Sequence, residues 1–225
     1  MSELRDFFLS RDQGDLHKWH NYFEIYERHF APFRGKDIVL LEIGVSRGGS
    51  LKMWRSYFGD GARIAGIDID ESAKRFEADG FEIFVDDQAK PAFLRSVIAK
   101  IGWPDIIIDD GGHTSNQQIV SFQTLYPVMK EEAIYLVEDT HTNFETAYQD
   151  RLDGQTFLDF AKNSADKLSW VDFAKNIKRF KTPPDQRTGE LALPYFARTT
   201  FSVSFYNGIV VFERRKTDEP WVERR

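Results

Sequence analysis

Two short apolar runs in this chain end in paired acids. The first reads Asp105-Ile-Ile-Ile-Asp109-Asp110-Gly111-Gly112-His113, and the second Ile134-Tyr-Leu-Val-Glu138-Asp139. A parallel strand buried on both faces reads as a continuous apolar run. Open α/β sheets gather function at the carboxyl ends of such strands. If the two strands are neighbours, Asp110, Glu138 and Asp139 converge there, with His113 in the next turn of chain. Three oxygen ligands beside one base suit a hard divalent cation, Mg²⁺ first and Mn²⁺ as a substitute. Side chains alternate along a strand, so Asp109 should face the other way. One acid pair would be read as a solvated strand end or a helix cap. Two pairs, each after a buried-strand signal and one followed by His, point to a functional site.

The flanking elements must position these groups. Residues 38–43 (IVLLEI) form a strand signal that runs into Glu42-Ile-Gly44-Val-Ser46-Arg-Gly48-Gly49-Ser50, then a helix to about Phe58. Strand, glycine turn and helix in that order predict a nucleotide-binding loop. The pattern is Glu-x-Gly-x-x-x-Gly, not the Gly-x-Gly-x-x-Gly of dinucleotide enzymes. A second strand, 63–68 (RIAGID), ends in Asp68, placed to hold the hydroxyls of a ribose. Asp70 is read as the cap of the next helix. A third strand, 81–86, ends in Asp86-Asp87-Gln88, where Asp87 or Gln88 can read an adenine amino group or cap a helix. Residues 2–10 predict a short helix. Residues 15–31 predict a longer one, with Trp19, Tyr22, Phe23, Tyr26 and Phe30 near one face as core. His17, His20 and His29 are read as surface or cap groups, and Tyr22 as a group that reaches the substrate if this helix folds over the site. His141, in the polar turn after Asp139, is read as a substrate contact or a loop residue. Residues 166–198 are irregular, with an amphipathic helix broken at Thr182-Pro183-Pro184, and are read as a substrate-side lid. Residues 199–213 spell a β-hairpin around Asn207-Gly208. The charged tail is read as solvated, with Trp221 as its docking group.

Composition narrows the class. The 225 residues suffice for one α/β domain. With 41% hydrophobic and 15% aromatic residues, 20 of them Phe, the chain is globular rather than disordered. A net charge of −6 argues against nucleic acid or an anionic membrane as the main partner. With 0 cysteines there is no disulfide, no thiolate nucleophile and no Cys-ligated zinc, which fits a cytoplasmic setting. No run approaches the ~20 apolar residues of a membrane span, and no basic-then-apolar leader is evident.

The glycine loop matches the first motif of class I S-adenosylmethionine-dependent methyltransferases, and a terminal hairpin on a mostly parallel sheet is their usual ending. Residues 38–50, 63–70, 83–88, 105–113 and 134–144 together resemble the metal-dependent sugar O-methyltransferases typified by the macrocin, mycinamicin and rhamnosyl enzymes, whose members often carry a cephalosporin-hydroxylase-like label. IDDGGH and VEDTHT are the most specific pieces. The resemblance implies a class I, Rossmann-like α/β sheet with an antiparallel C-terminal hairpin. It implies one domain over 1–225, with a helical cap over 1–36 and a variable substrate-side insertion over 150–198. It implies S-adenosylmethionine held by Glu42, Gly44, Ser46, Gly48, Ser50, Asp68, Asp87, Gln88 and Asp110. It implies Mg²⁺ on Asp110, Glu138 and Asp139, His113 as general base, and a sugar hydroxyl of a glycoside, glycolipid, polysaccharide or natural product as acceptor. Catechol O-methyltransferase, a phenolic alternative, carries Lys in the place of His113. A NAD-dependent oxidoreductase lacks support from the glycine spacing and the hairpin. A non-catalytic binding protein would have little use for the three acids. An aromatic-rich N-terminal helix allows a homo-oligomer.

Overall fold

The five apolar runs, each closed by a turn or an acid, form five parallel strands: β1 (Val39–Ile43), β2 (Arg63–Asp68), β3 (Glu82–Val85), β4 (Ile106–Asp109) and β5 (Ala133–Val137). The Asn207-Gly208 turn joins β6 (Thr200–Phe205) to β7 (Val210–Arg214), and β7 adds antiparallel to β5. The sheet order is β3-β2-β1-β4-β5-β7-β6. This is a computed structural model, and it describes residues 3–11, 16–168, 173–189, 191 and 194–223. Ahead of β1 lie α1 (Glu3–Leu9) and α2 (Tyr22–Phe30), and between the strands run α3 (Gly49–Phe58), α4 (Pro91–Ile101), α5 (Ser115–Leu125), α6 (Phe157–Leu168), α7 (Phe173–Lys181) and α8 (Tyr195–Thr199). No described helix is long and apolar enough to cross a membrane.

Alternation sorts the strand residues into two cores, one on each sheet face. Leu40, Ile64, Ile106, Ile108, Ile134 and Leu136 pack with α2 and α3. Leu41, Ile43, Ile107, Tyr135 and Val137 pack with α4, α5 and α6. By the same alternation Glu42, Asp110 and Glu138 continue the α2–α3 side, and Asp109 the α4–α5 side. The β1–β4–β5 register aligns Ile43 with Asp109 and Asp109 with Val137, so the three acid-bearing strand ends lie side by side.

Three expectations need correction. The helix predicted over 15–31 begins only at Tyr22, and residues 16–19 are irregular. The apolar stripe is real, but the charged and polar groups ahead of it are drawn into tertiary bonds described below. Second, the described part of the predicted lid lies away from the strand ends that carry the acids. Arg214 at the end of β7 pairs with Ala133 at the start of β5, so the chain leaves the sheet at the opposite end. There Tyr195 donates to the Pro127 carbonyl, and Arg179 and Arg187 both hold Glu219. Residues 169–172 of that stretch, 190, 192 and 193 lie outside the described residues. Third, Trp221 is 46% exposed, and the tail is docked by Glu219 and by the Val222 amide on the Phe180 carbonyl.

Candidate active site

The glycine loop after β1 is shaped by contact, not by flexibility alone. Gly44 has φ +94°, and a Cβ there would stand 2.0 Å from the Asp110 carbonyl oxygen. Only glycine lets β1 and β4 end so close together. Asp68, at the end of β2, accepts the amides of Val45 at 2.9 Å and Ser46 at 2.8 Å through Oδ2, and that of Asp70 at 2.9 Å through Oδ1. A carboxylate has about four lone-pair sites, so Asp68 keeps one for a ligand. It lines a cavity of about 520 Å³ with Gly44, Ser46, Asp87, Asp110 and Gly111. A second cavity of about 470 Å³ shares Gly44, Ser46, Asp110 and Gly111, and extends to Lys18, His113 and Asp139. The cavity beside the nucleotide loop and the cavity beside the acids therefore adjoin along a shared wall.

Several expected cofactor residues also make bonds or contacts within the fold. Glu42 is 0% exposed and accepts from Ser50 Oγ at 2.7 Å and Trp54 Nε1 at 2.9 Å. It lies behind the loop, where burial pushes it up to about 7. Gly48 makes room for the Phe76 ring. Gln88 borders the cavity, but its amide donates to Asp109 Oδ1 at 2.9 Å and accepts from the Gly112 amide at 2.9 Å. The second of these bonds ties Gln88 to the Gly111–Gly112 turn. Asp70 caps the turn after β2 through the Ser72 amide, as its position predicts.

The acid cluster is built by four segments. Asp110 Oδ1 lies 3.9 Å, and Asp139 Oδ2 3.8 Å, from His113 Nε2. Asp110, His113 and Asp139 each offer a ligand atom, all within 4.8 Å of one another. His113 and Asp139 both have left-handed backbone, φ 59° and 51°. His and Asp are among the residues that tolerate this conformation, and such positions persist where the surroundings enforce them. Here Thr142 Oγ1 ties the two turns, lying 3.2 Å from the His113 carbonyl and 2.9 Å from that of Asp139. The hairpin tip contributes as well: the Gly208 carbonyl accepts the Thr140 amide at 3.0 Å.

Residues 16–26 close the cluster from the α2–α3 face. Tyr26 donates to Glu138 Oε1 at 2.7 Å, and Tyr22 to Asp139 Oδ1 at 2.7 Å. Tyr22 is 1% exposed, so it supports Asp139 from behind rather than facing a substrate. Lys18 Nζ lies 2.6 Å from Asp110 Oδ2 and 2.7 Å from Glu138 Oε2. Burial pushes the Lys18 ammonium down, but the carboxylates of Asp110, Glu138 and Glu42 outweigh burial and hold it above its usual range. Burial and the neighbouring Asp110 push Glu138 up, while Lys18 and Tyr26 pull against that. The His141 ring stacks on Trp19 at 4.6 Å, with Nδ1 buried and unpartnered. Lys18 and Tyr26 are the groups that sequence reading missed. Tyr26 is at core spacing and reads as core, and a lysine in an aromatic stretch carries no signal of its own.

The donor set suits a divalent cation on chemistry. Asp110 and Glu138 already grip one positive charge at Lys18, and Asp139 and His113 stand beside Asp110, while Glu138 lies outside that group of three. On the other face of β4, Asp109 is 0% exposed and bonded to Gln88 and Tyr135, as alternation requires.

Known proteins resemble the chain in sequence and fold. No protein-family model matches the chain. The 8-demethyl-8-alpha-L-rhamnosyl tetracenomycin-C 2'-O-methyltransferase of Streptomyces olivaceus is 37% identical over 185 residues, covering 77% of this chain and 48% of the relative. The mycinamicin VI 2''-O-methyltransferase of Micromonospora griseorubida is 28% identical over 239 aligned positions, covering 100% and 56%. The chain thus spans about half the length of the curated relatives it matches. The solved MycE methyltransferase, in complex with Mg, S-adenosylhomocysteine and mycinamycin VI, superposes with a TM-score of 0.76 at 25% identity, covering 99% of this chain and 55% of MycE. Sequence and fold agree: over its length the chain is similar to sugar O-methyltransferases, and its sheet is of the class I methyltransferase type.

Proposed function

We propose that this protein transfers the methyl group of S-adenosylmethionine to a hydroxyl of a glycoside, with the help of a divalent cation, Mg²⁺. The observation that carries the reading is the pair of adjoining cavities, walled in common by Gly44, Ser46, Asp110 and Gly111, that place Asp68 on one side and His113 and Asp139 on the other. The relatives' names support a sugar acceptor, and the MycE complex supports both the methyl donor and Mg²⁺.

In this reading Asp68 takes the ribose with its remaining lone pair, and Asp87 takes the adenine edge. Gly44, Ser46 and Gly111 let the donor lie against backbone. Asp110, Glu138 and Asp139 hold the ion, which when bound polarises an acceptor hydroxyl as a Lewis acid. His113 accepts the hydroxyl proton at Nε2, the nitrogen that faces Asp110 and Asp139. Deprotonation and attack on the sulfonium methyl leave S-adenosylhomocysteine and a methyl ether. Holding donor and acceptor in one cleft supplies much of the acceleration. Substrate choice is assigned to the cap that carries Lys18 and Trp19 and to residues 145–153, which border the α5 start through Asp150 and Arg151. A cytoplasmic setting and a small glycoside acceptor, not nucleic acid, complete the proposal.

The test is release of S-adenosylhomocysteine on a panel of glycosides and catechols, with Mg²⁺ and with EDTA. Release with a glycoside, lost in EDTA, is the expected result. Release with catechols alone moves the chain to the phenolic branch.

A further inference from the structure

Lys18 stands between two of the three acids that the proposed function assigns to the metal ion. Its side chain is 2% exposed, and its Nζ touches one oxygen of Asp110 and one of Glu138. Both are ligands in the proposed function, on which this inference rests. The same two oxygens cannot receive a divalent ion and keep an ammonium between them, since like charges at contact distance repel strongly in a buried site. Lys18 also has freedom to leave. Residues 16–19 form no helix or strand, and Leu16, His17 and Lys18 line the 470 Å³ cavity beside the acids. A lysine carries its charge on a flexible four-carbon stem, so a change of side-chain rotamers suffices to carry the ammonium into that cavity.

We propose that Lys18 is an internal counter-cation that holds Asp110 and Glu138 in the metal-free protein and is displaced when the divalent ion binds. Metal binding is then an exchange of cations rather than the filling of a waiting site. Without its metal, the cluster would be three acids gathered at one strand edge, two of them facing a buried position. Lys18 keeps that arrangement folded. The cost is affinity, because the metal meets competent ligands only in the fraction of molecules whose lysine has swung away. The exchange also links metal binding to the cap. Trp19, the next residue, stacks on His141 in the turn that follows Asp139, so a moving Lys18 pulls on the wall of the acceptor side.

Removing the charge at position 18 has two effects of opposite sign. The metal-free protein loses stability, and the metal binds more tightly. A lysine that merely braced the ligands would change both in the same direction. The experiment titrates the full-length chain with Mn²⁺, followed by electron paramagnetic resonance, and with Mg²⁺, followed by calorimetry. Wild type, Lys18→Met and Asp110→Asn are compared, with melting curves in EDTA and in saturating Mg²⁺. The expected result is that Lys18→Met binds about tenfold or more tightly, melts lower in EDTA, and gains more from Mg²⁺ than wild type does. Equal or weaker binding by Lys18→Met, with binding by wild type intact, overturns the exchange and leaves the metal reading standing. Failure of wild type itself to bind either ion overturns both. Should Lys18→Met not fold, wild type alone decides by amine acetylation read by mass spectrometry. Lys18 should be protected in EDTA and labelled in Mg²⁺; protection at saturating Mg²⁺ overturns the proposal.

Discussion

Asp109 and Asp110 are adjacent in sequence and face opposite sides of the sheet. Asp109 is sealed among Gln88, Tyr135 and the α5 core, and burial pushes it up to about 6. Asp110 opens onto the cleft, where it meets Lys18 and His113. The chemistry of the side chains is identical. The period-2 alternation of a strand makes one a scaffold group and the other a member of the site. What the comparison teaches is that a carboxylate at a strand end carries no role until its face is known.

The sharpest way to break the contrast is to neutralise each acid in turn. Asp110→Asn should reduce methyl transfer to background and abolish Mn²⁺ binding, while leaving the melting temperature within a few degrees. Retained, EDTA-sensitive turnover in that variant would remove Asp110 from the site. His113→Ala should lower turnover by about 10²–10⁴-fold and keep donor and metal binding by calorimetry; near-normal turnover would exclude His113 as the base.

Asp109→Ala should act on stability instead. It strands the Gln88 amide and the Tyr135 hydroxyl, which costs about 2–4 kcal/mol in urea titrations. Asp109→Asn should cost less, and its difference from wild type should depend on pH. Between about pH 4 and 6 the folded chain keeps a proton on Asp109 that the unfolded chain has released. Wild-type stability relative to Asp109→Asn therefore falls as pH rises through that window and levels off above it, by no more than about 3 kcal/mol. A flat difference would mean that Asp109 is charged when folded. The smallest effect is expected at Tyr26→Phe, which removes one donor from Glu138 and should cost roughly 1.5–3 kcal/mol. A change in metal affinity larger than the change in stability would make Tyr26 part of the site rather than its support.

These contrasts also mark how far the residues could be read in order. The strands, their acid ends and the hairpin were legible because each is a local pattern: apolar runs, a glycine turn, Asn-Gly between two β stretches. The direction of Asp109 followed from alternation alone. The Asp70 cap followed from its place before a turn. The role of Glu42 did not follow, because its position before Gly44 looks the same whether it faces a ligand or, as here, Ser50 and Trp54. Tyr22 was legible as a group near the site but not as the donor behind Asp139. The place of the described part of 166–198 did not follow from sequence, because irregular chain reports nothing about which end of the sheet it returns to; that was decided by the antiparallel pairing of β7 with β5.

By itself the sequence determined the sheet's strands, the converging acids with His113, and the family resemblance, since all of these rest on periodicity and on short spacings. Only the tertiary structure decided that Lys18 reaches Glu138 across 120 positions of sequence, that Gly208 at the hairpin tip pins the turn after Asp139, and that Asp110 has a cation already at its side. Contacts of that range leave no local trace. They arise when two cores form on opposite faces of one sheet and bring the cap, the strand ends and the hairpin to a single edge.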